Sequence, residues 1–349
     1  MPMDTVQLLR TLTAAPGISG SEDAAARVMA ELVRPYVDDV QIDSMANVIA
    51  RIGPETGPRL AVCAHLDTIG FMVKRPAGGP GEDALRVVSV GGINLRAAPG
   101  TLVHAHTAAG IVPGMIGVRS QHQAALMAEG TPAMEDLVIH VPPQSGIPVG
   151  TMITYAPQWQ AIGSCVVSPY LDDRAGVALL IALAERLRGA ALPFTVMLIG
   201  TTQEETTCQG ARVALRAVQP LAALFVDGTV SYDTPETSRF GETRLGAGPV
   251  LTQFLYIRGL AAWHAHPRLW AHLRDLAHAH GIGVQHDVVH GLMADSLAAA
   301  DLGIPSAVIG LPMRSKHAPL EMLDLRDFDA ALALVSHACT TALPGLARG

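Results

Sequence analysis

The stretch AVCAHLDTIGFMV, residues 61–73, begins as an unbroken apolar run and then sets His65 and Asp67 two apart at its end. An apolar run that does not alternate with polar residues belongs to a strand buried on both faces, as in a parallel sheet covered by helices. The flanking sequence fits that reading. SGSEDAAARVMAELV (19–33) has helical spacing at Ala25, Val28, Met29, Leu32 and Val33, with Ser19 three before Glu22 as a candidate capping box. DDRAGVALLIALAERL (172–187) places Val177, Leu180, Ile181, Ala184 and Leu187 on one helical face.

Strand-like FTVMLIG (194–200), LAALFVD (221–227) and IPSAVIGLP (304–312) follow, separated by helices expected from about Gly210 and from Pro267. Strands alternating with helices predict an α/β fold, a mostly parallel sheet with helices on both faces. Between Lys74 and Gln160 the texture changes to short β-like pieces broken by Gly and Pro: LRVVSV, TLVHAHT, AGIVPGMIGV, EDLVIHV and TMITYA. The predicted organisation is a discontinuous domain of residues 1–73 and 161–349, interrupted by a small β-barrel-like domain of residues 74–160.

Composition excludes several classes. The formal charge of -7 and the absence of a Lys/Arg cluster argue against nucleic acid or an anionic membrane as partner. The longest uncharged apolar run, AGVALLIALA, is too short to span a bilayer. MPMDTVQLLR lacks the basic start of a signal peptide. Cys63, Cys165, Cys208 and Cys339 form no CxxC pair, as expected for reduced thiols. The expected location is the cytoplasm.

The polar residues fall in a pattern. His65 and Asp67 end one predicted strand, Glu204 and Glu205 lie just beyond a second, Asp227 ends a third and His317 follows a fourth, while Asp172 and Asp173 open the helix after the insertion. In open α/β sheets ligands bind outside the carboxyl ends of the strands, so these distant positions can converge. Taken singly, each reads as a cap or a solvated loop residue, and adjacent acids often favour a helix N-terminus. That account covers Asp172 and Asp173, but TTQEETTCQG offers no helical face for Glu204 and Glu205. Two imidazoles with several carboxylates and no cysteine suit Zn(II), Co(II) or Mn(II). Two divalent ions balanced by three carboxylates and one hydroxide would leave a neutral cluster able to sit in a cleft.

HLDTIGF, YLDDRAG, TTQEET, FVDGTVSYDTP and KHAPLE, in this order and spacing, resemble the tetrahedral (TET) aminopeptidases, also labelled glutamyl aminopeptidases or endoglucanase M. The resemblance runs along nearly the whole chain. It implies a zinc-aminopeptidase-like fold with an inserted β-domain, two divalent metal ions per subunit (zinc first, cobalt or manganese as alternatives) and hydrolysis of N-terminal residues from short peptides. By position it implies that His65 and Asp227 hold one ion, Glu205 and His317 the other, and that Asp172 bridges both. Glu204 would be the general base toward water, and Asp67 would orient His65 through its second ring nitrogen. Self-association into a large homo-oligomer, commonly a dodecamer, is implied as well.

Thr68 stands where the family usually has Glu, TTCQGA replaces a Val-Gly-x-x-Gly-Ala tract, and Ser315 and Lys316 precede His317 where an aromatic is common. These departures flank the site and bear on substrate preference. His122, in the insert, is a candidate to reach over a cleft, and Asp295 a candidate contact for the substrate's amine. Two other readings compete: a related di-metal deacylase or carboxypeptidase-like hydrolase, and a non-catalytic metal-stabilised assembly protein. A glycosidase is disfavoured, since it needs only a carboxylate pair.

Overall fold

The computed structural model describes residues 4–77, 83–117 and 132–346. Strand Arg59–His65 lies between Thr195–Thr201 and Ala222–Val230, with Ser306–Arg314 beyond the latter, and all four run parallel. This parallel quartet forms the middle of a 12-stranded mixed sheet. Antiparallel strands extend it on both sides: Val48–Ile52 and Asp39–Ile42 at one flank, Glu321–Asp324, Cys165–Ser168 and Gln160–Ile162 at the other. Strand Val250–Ile257 branches from Ser306–Arg314 and carries Ala261–His264 and Gln285–His290.

The two-residue period of a strand sorts its apolar side chains between two cores. Leu60, Val62, Val196, Leu198, Leu224, Val226, Ala307 and Ile309 face one core with the helices Thr5–Ala14, Asp23–Val33, Leu171–Leu187 and Leu325–Thr340. Ala61, Cys63, Met197, Ile199, Ala223, Phe225 and Val308 face the other, against the helices Gln209–Val218 and Ser296–Asp301. Both faces of the quartet are therefore dry, which is why its strands read as continuous apolar runs.

Six strands, Gly70–Pro76, Ala84–Val90, Leu102–Thr107, Gly110–Ile116, Ile139–His140 and Met152–Tyr155, close a barrel with its own core of Ile69, Phe71, Val87, Val103, Ile116, Ile139 and Ile153. The stretch 61–73 thus spans both sheets: it leaves the large sheet at His65 and enters the barrel at Gly70. A Cβ at Gly70 would lie 2.2 Å from Ile18 Cγ2 and 2.9 Å from the Ile153 carbonyl oxygen, so the crossing has no room for a side chain.

The expected capping box does not form. The second helix starts at Asp23, and Glu22 instead accepts hydrogen bonds from the amides of Gly20 (2.7 Å) and Gln203 (3.1 Å), while Ser19 pairs with Thr206. The Gln203 amide and the Thr206 hydroxyl, both distant in sequence, outcompete the reciprocal cap.

Candidate metal centre

The four parallel strands end at one edge, and their ends deliver the polar residues to one place. His65 is the last residue of its strand, Asp227 and Gly228 sit late in theirs, Glu204 and Glu205 follow Thr201 by a short turn, and His317 follows Arg314. Asp172 comes from the first turn of the buried helix Leu171–Leu187, where Asp172 and Asp173 have non-helical backbone angles. Non-glycine residues with φ in the left-handed region surround the site: Tyr170 (65°), Gln203 (59°), Cys208 (54°), Ser315 (59°) and His317 (64°). Each costs on the order of 1 kcal/mol and persists because neighbouring contacts fix it.

All seven residues singled out in the sequence come together. His65 Nε2 lies 3.4 Å from Asp172 Oδ1, 4.0 Å from Asp227 Oδ1 and 3.8 Å from Glu204 Oε2. The other Asp172 oxygen, Oδ2, is 3.3 Å from His317 Nε2, which is itself 3.5 Å from Glu205 Oε2. Asp172 therefore stands between two imidazoles, one oxygen toward each. The triads His65–Asp172–Asp227 and Asp172–Glu205–His317 each bring three donor atoms within 4.8 Å of one another, as does His65–Glu204–Glu205.

These donors suit a divalent ion. Asp172 Oδ1 and Glu205 Oε1 are buried and accept no hydrogen bond among the described residues, while Asp172 Oδ2 and Asp227 Oδ1 face the single ammonium of Lys316 at 3.0 and 3.5 Å. Four donors about 2.1 Å from a tetrahedral ion stand roughly 3.4 Å apart, close to the 3.3–3.5 Å found around Asp172 and His317. Buried carboxylate oxygens facing one another are costly without a cation.

The local fields are large. Burial pushes the Glu204 carboxyl well above the ordinary range; His65 opposes this, while Asp227 and Glu205 add to it. Burial likewise carries Glu205 up to about 7. For Asp172 burial is outweighed by the Lys316 ammonium and the two imidazoles, which hold its carboxyl well below the usual value.

Three acids that are not in the triads fix the backbone of residues that are. Asp67 accepts from the amides of Glu204 and Glu205, each at 3.0 Å. His65 Nδ1 is 3.0 Å from the Asp67 backbone oxygen and 3.6 Å from Asp67 Oδ1, so the ring is oriented mainly by the carbonyl. Asp173 accepts from the His65 amide at 3.2 Å. Glu321 accepts from the amides of Asp172 (2.9 Å) and His317 (2.8 Å). The sequence pattern assigned Asp173 only a helix-N-terminus role and Glu321 none. The signal for Glu321 was an acid four residues after His317; the structure buries it, 2% exposed, at the start of a strand.

A cavity of about 780 Å³ opens beside the centre. Glu204, Glu205, Lys316 and His317 lie at one end, and Val230, Ile257, Leu260, Val289, Leu292, Met293 and Leu297 supply apolar wall. Arg212 reaches the rim with its guanidinium already bonded to Asp301 (2.9 Å) and to the Thr207 carbonyl (2.7 Å). Asp295 is buried, with its carboxylate on the Thr201 hydroxyl. Thr68 donates to the Gly17 carbonyl at 3.2 Å and ties the N-terminal loop to the strand end. His122 lies outside the described residues.

A sequence profile described as M42 glutamyl aminopeptidase matches residues 46–334, which include all seven residues and the whole barrel. The chain belongs to the M42 family. This M42 chain is 33% identical over 367 residues to SgcX of Escherichia coli (strain K12), which carries the name of an aminopeptidase, across 99% of the chain and 95% of the relative. Among solved structures, aminopeptidase APDkam598 from the archaeon Desulfurococcus kamchatkensis superposes with a TM-score of 0.90 at 28% identity, covering 97% of this chain and 95% of that one. The Pyrococcus horikoshii TET1 peptidase, described as able to assemble into a tetrahedron or a large octahedral shell, matches with a TM-score of 0.86 at 25% identity, over 97% and 100% of the two chains. M42 membership makes the chain a peptidase, of the aminopeptidase kind, and accounts for the pairing of a mixed α/β sheet with a closed barrel.

Proposed function

We propose that the chain is a two-metal aminopeptidase that removes N-terminal residues from short peptides. One observation carries this reading: Asp172 lies between two imidazole-carboxylate triads, with Glu204 beside them and an apolar cavity opening from the same edge. His65, Asp172 and Asp227 would hold one divalent ion and Asp172, Glu205 and His317 the other, zinc being the first candidate and cobalt or manganese the alternatives. When bound, the ions would supply Lewis-acid polarisation of the scissile carbonyl and a lowered pKa for water.

The remaining work belongs to the chain. Glu204 Oε2 is 3.8 Å from His65 Nε2 and its backbone is fixed by Asp67, so it can take a proton from water at the centre and return it to the leaving amine. The apolar wall excludes water and would receive the side chain of the N-terminal residue. Residues 1–73 and 161–349 would form the catalytic domain, and residues 74–160, together with the start of the barrel strand Gly70–Pro76, the inserted domain that contributes to assembly and to the cleft rim. Relatives that assemble into shells support a large homo-oligomer, a dodecamer first, and four unpaired cysteines fit the cytoplasm.

The test is a panel of free-amine and N-acetylated aminoacyl p-nitroanilides. Free-amine substrates should be cleaved, a chelator should abolish the activity, and Glu204→Gln should lower kcat by about 10²- to 10⁴-fold. Activity that survives chelation or Glu204→Gln overturns the reading; release of acetate from the N-acetylated series, with the free-amine series left uncut, assigns a deacylase.

A further inference from the structure

The barrel meets the centre at three of its donors. Tyr170 stands two residues before Asp172, yet its side chain lies in the barrel core with Ile69, Phe71 and Ile153. Its ring stacks on Tyr155 at 5.9 Å, and Tyr155 meets Phe71 edge-on at 5.8 Å. The Tyr170 hydroxyl accepts the Tyr155 amide at 2.5 Å. That bond fills a gap in the barrel's ladder. Phe71 pairs with Ile153, so two residues further on the position opposite Tyr155 is Ile69, which precedes the strand Gly70–Pro76. A buried amide without a strand partner needs another acceptor, and the hydroxyl supplies it. The Tyr170 backbone is held at φ 65°, a conformation unfavourable for a tyrosine, immediately ahead of the helix that carries Asp172.

The loop after the strand Ala84–Val90 packs against the other two donors. A Cβ at Gly92 would lie 3.0 Å from His317 Nδ1, and one at Gly91 would lie 3.3 Å from Glu205 Oε2. The loop is tied down there, because the Asn94 amide donates to the His317 carbonyl at 3.1 Å. Gly91 has φ of 79°, which favours glycine whatever surrounds it; Gly92 has no positive φ, so at 92 it is the room taken by the His317 ring that excludes a side chain.

We propose that the barrel is a wall of the metal centre, in which Tyr170 is a positioning residue for Asp172 and the bare backbone at Gly92 sets where the His317 ring stands. The inference rests on the two-metal reading and deepens it. Asp172 is anchored twice, by its own amide on Glu321 and through Tyr170 in the barrel. His317 has its amide on Glu321 and its ring against Gly92. Donor atoms must be held to within about 0.5 Å for a site to work, so releasing the anchor or crowding the ring weakens metal binding even where the fold survives.

Zinc binding by the chelator-stripped protein, read by calorimetry with ZnCl₂ beside a thermal melt, tests this without turnover. Tyr170→Ala frees the backbone to leave the left-handed region, and Gly92→Val crowds the ring; each should raise the zinc Kd at least tenfold. Tyr170→Gly loses the same ring but keeps the left-handed backbone without steric cost, so it should bind zinc at least threefold more tightly than Tyr170→Ala. Ile139→Ala opens the barrel core at the end of the strand Ala84–Val90 remote from Gly91, and it should lower Tm while leaving the Kd within threefold of wild type. A Kd within threefold of wild type in Tyr170→Ala or Gly92→Val, Tyr170→Gly binding no more tightly than Tyr170→Ala, or an equal loss in Ile139→Ala overturns the inference and leaves the two-metal reading standing. If Tyr170→Ala fails to fold, Gly92→Val, on a loop that lines the cavity, decides alone. Wild type that takes up no zinc overturns that reading and this inference together.

Discussion

Glu321→Gln should weaken metal binding without unfolding the chain. In wild type the two Glu321 oxygens each accept one backbone N–H, from Asp172 at 2.9 Å and from His317 at 2.8 Å. Glutamine offers one oxygen and one NH₂ group, so one amide must face a donor. The change leaves one buried amide without its acceptor, which costs about 1–3 kcal/mol, and it falls on the backbone of a residue in the donor set. At about 1.4 kcal/mol per decade this becomes a roughly 5- to 150-fold rise in the metal Kd, in line with what is expected when the support behind a metal ligand is removed. Isothermal titration of the stripped protein measures the Kd, and circular dichroism with thermal melting reports the fold. A Kd within threefold of wild type, in a chain with an unchanged melt, would refute the idea that Glu321 sets the position of Asp172 and His317.

The cavity wall predicts substrate preference: burying a leucine-sized side chain contributes about 1.5–3 kcal/mol, so Leu and Met p-nitroanilides should exceed the Glu substrate in kcat/KM by tenfold or more. Arg212 is engaged by Asp301 and Thr207 and offers a substrate carboxylate little, and equal rates on the Glu substrate would count against this. Asp324 caps the helix Leu325–Thr340, and the Arg326 guanidinium holds its carboxyl down at about 2. Its unfolded counterpart titrates near 4, so its stabilisation is present above about pH 4 and is lost as pH falls toward 2. The gap in Tm between wild type and Asp324→Asn should narrow over that window and stay constant from pH 5 to 7. Leu198→Ala removes a fully buried side chain from the central sheet and should cost about 2–5 kcal/mol in chemical denaturation.

The parallel quartet is legible in the sequence because both its faces are dry, so Leu60 to Ala64 and Val196 to Ile199 read as apolar runs with polar residues only at their ends. The same logic locates the site, since a polar residue ending a doubly buried strand can face only the sheet edge. The flanking strands are less legible. Gln285–His290 alternates half-buried and exposed positions, with Val289 alone buried and histidines at 286 and 290, and nothing local says that it pairs in parallel with Val250–Ile257. The barrel was visible as a run of short β segments, but its first strand, Gly70–Pro76, follows the His65 strand too closely to be separated from it by pattern alone. Glu22 misled for a related reason: a capping box is a local motif, and the partner that won, the Gln203 amide, lies 181 residues away. Lys316 was visible only as a departure from a family pattern; that its ammonium turns inward depends on the backbone of Ser315 and His317.

The polar pairs in this sequence share one physical logic. Three of the motifs supply one residue whose side chain points into the centre and another whose side chain fixes backbone: His65 with Asp67, Asp172 with Asp173, His317 with Glu321. The fixing residue rarely serves its own neighbour alone. Asp67 holds the amides of Glu204 and Glu205, Asp173 holds the amide of His65, and Glu321 holds those of Asp172 and His317. Motifs more than a hundred residues apart are therefore linked through the amides of the residues that would meet the ions. A carboxylate is suited to this because it accepts two N–H bonds at once, and buried charge strengthens both. This explains why adjacent or near-adjacent acids recur at the strand ends: a donor set of two imidazoles and three carboxylates would otherwise be carried on irregular backbone whose amides, out of reach of water, had no acceptor.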